Sequence, residues 1–94
     1  MARAWDIIAD QPTTTVELRF APVVASRVAE TTWHPSEVRE TQPDGSLLWR
    51  ADVAGTIEIR LWILSWGADV EVLRPPELRA DVAATVEAAA NLYR

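Results

Sequence analysis

The chain of 94 residues contains no cysteine, a single histidine, three glycines and no long apolar run. Without cysteine there is no disulfide framework, and one histidine alone, His34, leaves no second soft ligand with which to hold zinc. Gly45, Gly55 and Gly67 stand singly, so no glycine-rich loop exists to cradle a phosphate. No stretch approaches the ~18–20 apolar residues of a membrane-spanning helix. The opening MARAWDIIADQ has no apolar core of secretory-signal length. A cytoplasmic setting is the expectation.

What is present is ordinary for a folded domain: 49% hydrophobic and 24% charged residues, with five tryptophans as the one excess. A chain this long buries roughly 60–65% of its unfolded surface around a single core. Nine basic against fourteen acidic residues leave a formal charge of −5, which opposes non-specific attraction to nucleic acid or an anionic membrane. If the domain serves a DNA-binding protein, DNA is held elsewhere.

The centre of the chain is the stretch from Asp44 to Pro75. Asp44-Gly45-Ser46 is a tight-turn signal, and Arg74-Pro75-Pro76 is a stop. Between them Leu47, Trp49, Ala51 and Val53 alternate with Leu48, Arg50 and Asp52, and Val70 and Val72 alternate with charged neighbours, predicting two half-buried strands. Residues 56–67 fit both periods. Thr56 as a cap, Glu58 in a first turn and Gly67 as a C-terminal stop favour a helix.

Residues 1–12 read as a linker or docking arm, in which Trp5, Ile7 and Ile8 are too apolar for a solvated tail; they pack on the core or on a preceding domain. Residues 13–94 form the folded domain. TTTVELRF over 13–20 alternates as a first strand, Pro22 opens a brief helix with Val24, Ala25 and Val28, and residues 37–42 make a weak polar edge strand. The longest helix, about 77–92, carries Leu78, Val82, Val86, Ala89 and Tyr93 along one face and small alanines elsewhere. The order β-α-β-β-α-β followed by α predicts an α+β, ferredoxin-like sandwich with an additional C-terminal helix. That helix has three possible seats: the sheet edge, the open sheet face, or another subunit.

Several short motifs together resemble one family. Leu18-Arg19-Phe20, Trp33-His34-Pro35-Ser36, Asp44-Gly45-Ser46, Trp62-Ile63-Leu64 with Trp66-Gly67, Val70-Glu71-Val72-Leu73 before Pro75, and a helix ending in Tyr93 are similar to the C-terminal extension (WCX) domain of bacterial WYL-domain transcriptional regulators. The resemblance covers about 14–94. It implies a ferredoxin-like fold and a regulatory, oligomerisation or effector-sensing role. Its partners would be preceding winged-helix and Sm-like WYL domains, so that DNA is reached only through a domain outside this chain. It supplies no catalytic residue, because the family's ligand contacts lie mainly in the WYL domain.

The residues themselves agree with a non-enzymatic role that needs no cofactor. His34 reads as a local loop hydrogen-bonder, and Glu37 with Glu40, and Asp69 with Glu71, as solvated charge. Trp62 and Trp66 share a helix face with Ile59 and Ile63, distinct from that of Ile57, Leu61 and Leu64, so this helix needs cover on two sides. Trp62 and Trp66 are either core or interface, and with Ala80, Ala84 and Ala88 they are the candidate contacts of a homodimer. Two alternatives share the fold: a single-stranded nucleic-acid reader of RNA-recognition-motif type, which needs aromatics on its open sheet face, and a small-molecule-binding domain. The outward positions Glu17, Arg19, Leu48, Arg50 and Asp52 offer no stacking platform.

Overall fold

The computed structural model describes residues 12–94. Seven elements follow in order: β1 (Thr14–Phe20), α1 (Pro22–Ala29), β2 (Val38–Thr41), β3 (Leu47–Val53), α2 (Ile57–Ser65), β4 (Val70–Arg74) and α3 (Pro76–Asn91). A short 3-10 turn, Gly67–Asp69, joins α2 to β4. The strands make one antiparallel sheet in the order β2-β3-β1-β4. Because β3 is antiparallel to both β1 and β2, those two run parallel with β3 between them; likewise β3 and β4 run parallel around β1. Two interlocked β-α-β units result.

Period-two patterning puts one face of the sheet into the core. The register pairs Val16 with Ala51, Leu18 with Trp49 and Val72, and Phe20 with Leu47 and Val70. Val24 and Val28 of α1, Ile59 and Ile63 of α2, and Leu78 of α3 pack on these strand residues in a single cluster. Both crossover helices therefore cover the same face.

The ambiguous central stretch is a helix. Its buried residues Ile59 and Ile63 are four apart, a helical spacing, whereas alternation would have buried Ile57 and Leu61 as well; these are 79% and 61% exposed. Gly67, at φ 61°, ends it as expected. Thr56 stands at the N-cap position but its hydroxyl makes no capping bond; only its carbonyl is used, accepting the Arg60 N–H at 2.9 Å.

The β2–β3 turn follows from Asp44-Gly45-Ser46. Gly45 adopts φ 91°, and a Cβ there would approach Pro22 Cβ to 3.3 Å, so both conformation and space ask for glycine. Asp44 Oδ1 accepts from the Ser46 N–H at 2.9 Å and hydroxyl at 2.6 Å. These bonds, the Ser46 hydroxyl first, hold the exposed Asp44 carboxyl below its ordinary pKa.

Of the three seats open to the last helix, the structure selects one beside α2 and over β4. Arg79 Nη1 donates to Glu71 at 3.0 Å and to the Val72 carbonyl at 2.7 Å, tying α3 to β4. Arg60 donates to Asp81 at 2.7 Å and to Thr85 at 2.7 Å, tying α3 to α2. All four bonds lie at or before Thr85. Beyond it α3 runs on through Val86, Ala89 and Ala90 with no buried residue.

Candidate functional site

Trp62 and Trp66, candidates for either core or interface, lie half-buried in an aromatic cluster of the monomer. Trp62 stacks on Trp33 with centroids 5.0 Å apart and an interplanar angle of 18°, and meets Trp49 at 5.1 Å and Phe20 at 5.6 Å. Trp66 meets Phe20 edge-on at 5.5 Å and Trp62 at 6.2 Å. Offset and edge contacts of this kind add about 0.5–1.5 kcal/mol each beyond area burial. The indole N–H groups of Trp49 and Trp66 are buried without a hydrogen-bond partner among the described residues.

Trp33 is the member that pattern reading missed, since it stands in a loop rather than on a periodic element. The loop is built to present it. Glu37 Oε1 accepts the backbone N–H groups of Trp33 at 2.7 Å and His34 at 2.9 Å, while Arg39 Nε stands 3.4 Å from Glu37 Oε2. The Ser36 hydroxyl accepts the Asp52 N–H at 2.9 Å, docking the loop on the end of β3. His34 Nδ1 bonds within the loop, to the Ser36 hydroxyl at 2.9 Å and its N–H at 3.1 Å. The expectation of solvated charge is corrected for Glu37, whose side chain is 3% exposed and satisfies two backbone donors. The loop's backbone needs outweighed the polar appearance of the residue.

Ala80, Ala84 and Ala88 are exposed on α3, spaced at i, i+4 and i+8 along one face. Between Asp81 and Arg94 the only charged residue is Glu87. The opposite face of α3 meets the body in a groove of about 520 Å³ that runs between Val82, Val86 and Ala90 on one side and Leu64, Ala68 and Val70 on the other. At its far end Tyr93 is 90% exposed. Ile57 and Leu61 add an exposed apolar stripe on α2.

The open sheet face carries Glu17 opposite Arg50, Arg19 opposite Leu48 and Glu71, and Val38 opposite Arg50. Arg74 stands 3.9 Å from Glu17, and the Thr15 hydroxyl donates to Asp52 at 2.7 Å. No aromatic ring lies among these positions. Among the described residues there is no group of three His, Cys, Asp or Glu side chains placed to hold a metal, and no helix long and apolar enough to cross a membrane. Trp5, Ile7 and Ile8 lie outside the described residues.

The family model described as WCX domain matches residues 12–90. No curated protein matches the chain.

Proposed function

Because this chain belongs to the WCX domain family, we propose that it acts as the C-terminal regulatory module of a WYL-type transcriptional regulator, holding two copies together as a homodimer. The resemblance to the C-terminal extension of such regulators implies that place in the parent chain. In this reading, DNA binding and effector capture belong to preceding winged-helix and WYL domains, and this domain sets how the copies meet. The fold is read as ferredoxin-like, supported by the two interlocked β-α-β units and the order β2-β3-β1-β4.

The observation that carries the assembly role is the second half of α3. A helix segment bounded by Asp81 and Arg94, with one charge between them, presents Ala84 and Ala88 to solvent and buries nothing of its own. A monomeric helix ordinarily places polar residues on such a face. Alanines four apart let a partner helix approach to the short end of the ~8–10 Å interaxial range, and the exposed Ile57 and Leu61 of α2 extend the apolar surface. Trp62 and Trp66 support this layer from within, by fixing α2 against the sheet.

Sedimentation of the purified domain tests the reading. The wild-type chain is expected to associate reversibly as its concentration rises, and Ala84→Glu to abolish association while far-UV circular dichroism stays native. A wild-type domain that remains monomeric at high concentration, or an Ala84→Glu variant that simply unfolds, sinks the proposal.

A further inference from the structure

The alanine face is one side of α3; the other side borders a groove that a homodimer through the alanines leaves unused. Val82, Val86 and Ala90 form one wall and Leu64 and Ala68 the other, with the buried Ile63 and Val72 at its depth, around a space of about 520 Å³. We infer that this groove is a binding site for an uncharged, predominantly apolar small molecule.

Three observations lead there. The first is size: about 520 Å³ falls within the roughly 300–1,000 Å³ of clefts that take small organic ligands. A helix laid along the roughly 12 Å from Val82 to Ala90 would displace roughly 900 Å³ as a cylinder about 10 Å wide, nearly twice the space. The second is lining. Apart from four charged side chains, every residue bordering the groove is Gly, Ala, Val, Leu or Ile, so an occupant is held chiefly by the removal of apolar surface from water. The third is charge. Glu71 and Arg79 neutralise each other at 3.0 Å, and Glu87 with Arg94 adds one charge of each sign, so the lining sums to zero. An anion drawn to either guanidinium meets a carboxylate of the same lining, and a cation drawn to either carboxylate meets a guanidinium. A net charge on the ligand therefore adds little attraction, while its desolvation counts against binding.

The groove is set before a ligand arrives. The Arg79 bonds to Glu71 and the Val72 carbonyl, with the Arg60 bonds to Asp81 and Thr85, fix the first half of α3 against β4 and α2, so little ordering is left for binding to bring about. Ala80, Ala84 and Ala88 are absent from the lining, so a ligand and a partner helix can occupy α3 together. Binding here depends neither on the homodimer nor on effector capture by a preceding domain.

Fluorescence titration of the whole chain with N-phenylnaphthylamine, an uncharged apolar probe, tests the assignment. The probe is expected to bind saturably and one-to-one, and more tightly than anilinonaphthalene sulfonate, its anionic relative. Val86→Lys places a charge on the groove wall at a position already half exposed, so far-UV circular dichroism should stay native while probe affinity falls about tenfold or more. Ala90→Phe fills the same space without a charge and should also weaken the probe. Ala84→Glu, outside the groove, should leave probe binding intact even where it abolishes self-association, so this site and the homodimer fail separately. No saturable binding, tighter binding of the anionic probe, or an affinity untouched by both groove variants overturns the inference. Probe binding that falls as the chain self-associates overturns it too, and assigns the groove to a second copy.

Discussion

Arg60 of α2 and Asp81 of α3 meet at 2.7 Å, and the same guanidinium reaches Thr85, one helical turn further on, at 2.7 Å. Among the described residues this fork is the last polar tie between α3 and the body. Beyond it no residue of the helix is buried, so its second half lies on the surface of the described fold.

Arg60→Ala should therefore loosen α3 more than it destabilises the domain. Both members of the ion pair are partly exposed, which limits the pair to about 0.2–1 kcal/mol, with the bond to Thr85 adding a comparable amount. Urea unfolding is expected to show a loss of about 1–2 kcal/mol, smaller at high salt because the pair is screened there. Native-state hydrogen exchange in α3 should rise by more than that global loss accounts for. Equal effects on α3 and on β1 would mean that the helix and sheet form one cooperative unit.

Trp49→Ala is expected to be far more damaging than Trp62→Ala. Trp49 of β3 is buried against Trp33 and Trp62, and truncating such a side chain costs about 3–5 kcal/mol, a large share of the ~5–15 kcal/mol available to a small domain. Trp62 is half-buried and loses stacking on Trp33 along with its contacts to Phe20 and Trp49. Calorimetry of the two variants gives the order directly. A larger loss for Trp62 would place the energetic centre on the helix side of the aromatic cluster and not on its strand side.

Much of this architecture was legible because alternation and helical spacing leave a strong imprint: Leu47 to Val53 alternates without a break, and Pro22, Gly67 and Pro75 punctuate the chain where the elements change. Two features were not legible, each for a physical reason. Trp33 and Glu37 belong to a loop whose form is dictated by backbone N–H groups in search of an acceptor, and no periodicity signals that. The face of α3 from Leu78 through Val82 and Val86 to Ala89 reads as one continuous core stripe, yet α2 ends at Ser65, so the body underneath is shorter than the helix above it. A single helix's pattern says what it would bury, and the length of its neighbours says how much of that it can.

Glu37→Gln and Glu37→Ala should separate hydrogen bonding from charge in the loop. The glutamine keeps an oxygen for the Trp33 and His34 N–H groups and loses only the contact with Arg39; the alanine strands two donors at a cost of about 1–3 kcal/mol. Near-ultraviolet circular dichroism, which reports the Trp33–Trp62 stack, is expected to survive the first change and collapse with the second.

Acid should weaken the β2–β3 turn. The folded-state pKa of Asp44 lies below its ordinary value, first because of the bond from the Ser46 hydroxyl, so its contribution is complete above the unfolded value and disappears as pH falls through the folded one. Below about pH 4, where carboxyls of the unfolded chain take up protons, the stability gap between the wild-type chain and Asp44→Asn should narrow. A gap that widens on acidification would have the wrong sign for this assignment.

Finally, the open sheet face should not hold single-stranded RNA or DNA. Readers built on a four-stranded sheet stack bases on aromatic side chains, and the paired positions here are Glu17 with Arg50 and Arg19 with Leu48 and Glu71. Four acidic residues, Glu17, Glu40, Asp52 and Glu71, stand among three arginines, Arg19, Arg50 and Arg74, and the whole chain carries −5. Each phosphate neutralised would add to affinity through released counterions, but a face whose arginines lie beside carboxylates has little charge to spend on them. Fluorescence anisotropy with labelled oligonucleotides is expected to show no sub-micromolar binding at physiological salt. Arg50→Glu should then leave the titration flat, whereas tight binding abolished by that change would reassign the sheet face as a nucleic-acid surface.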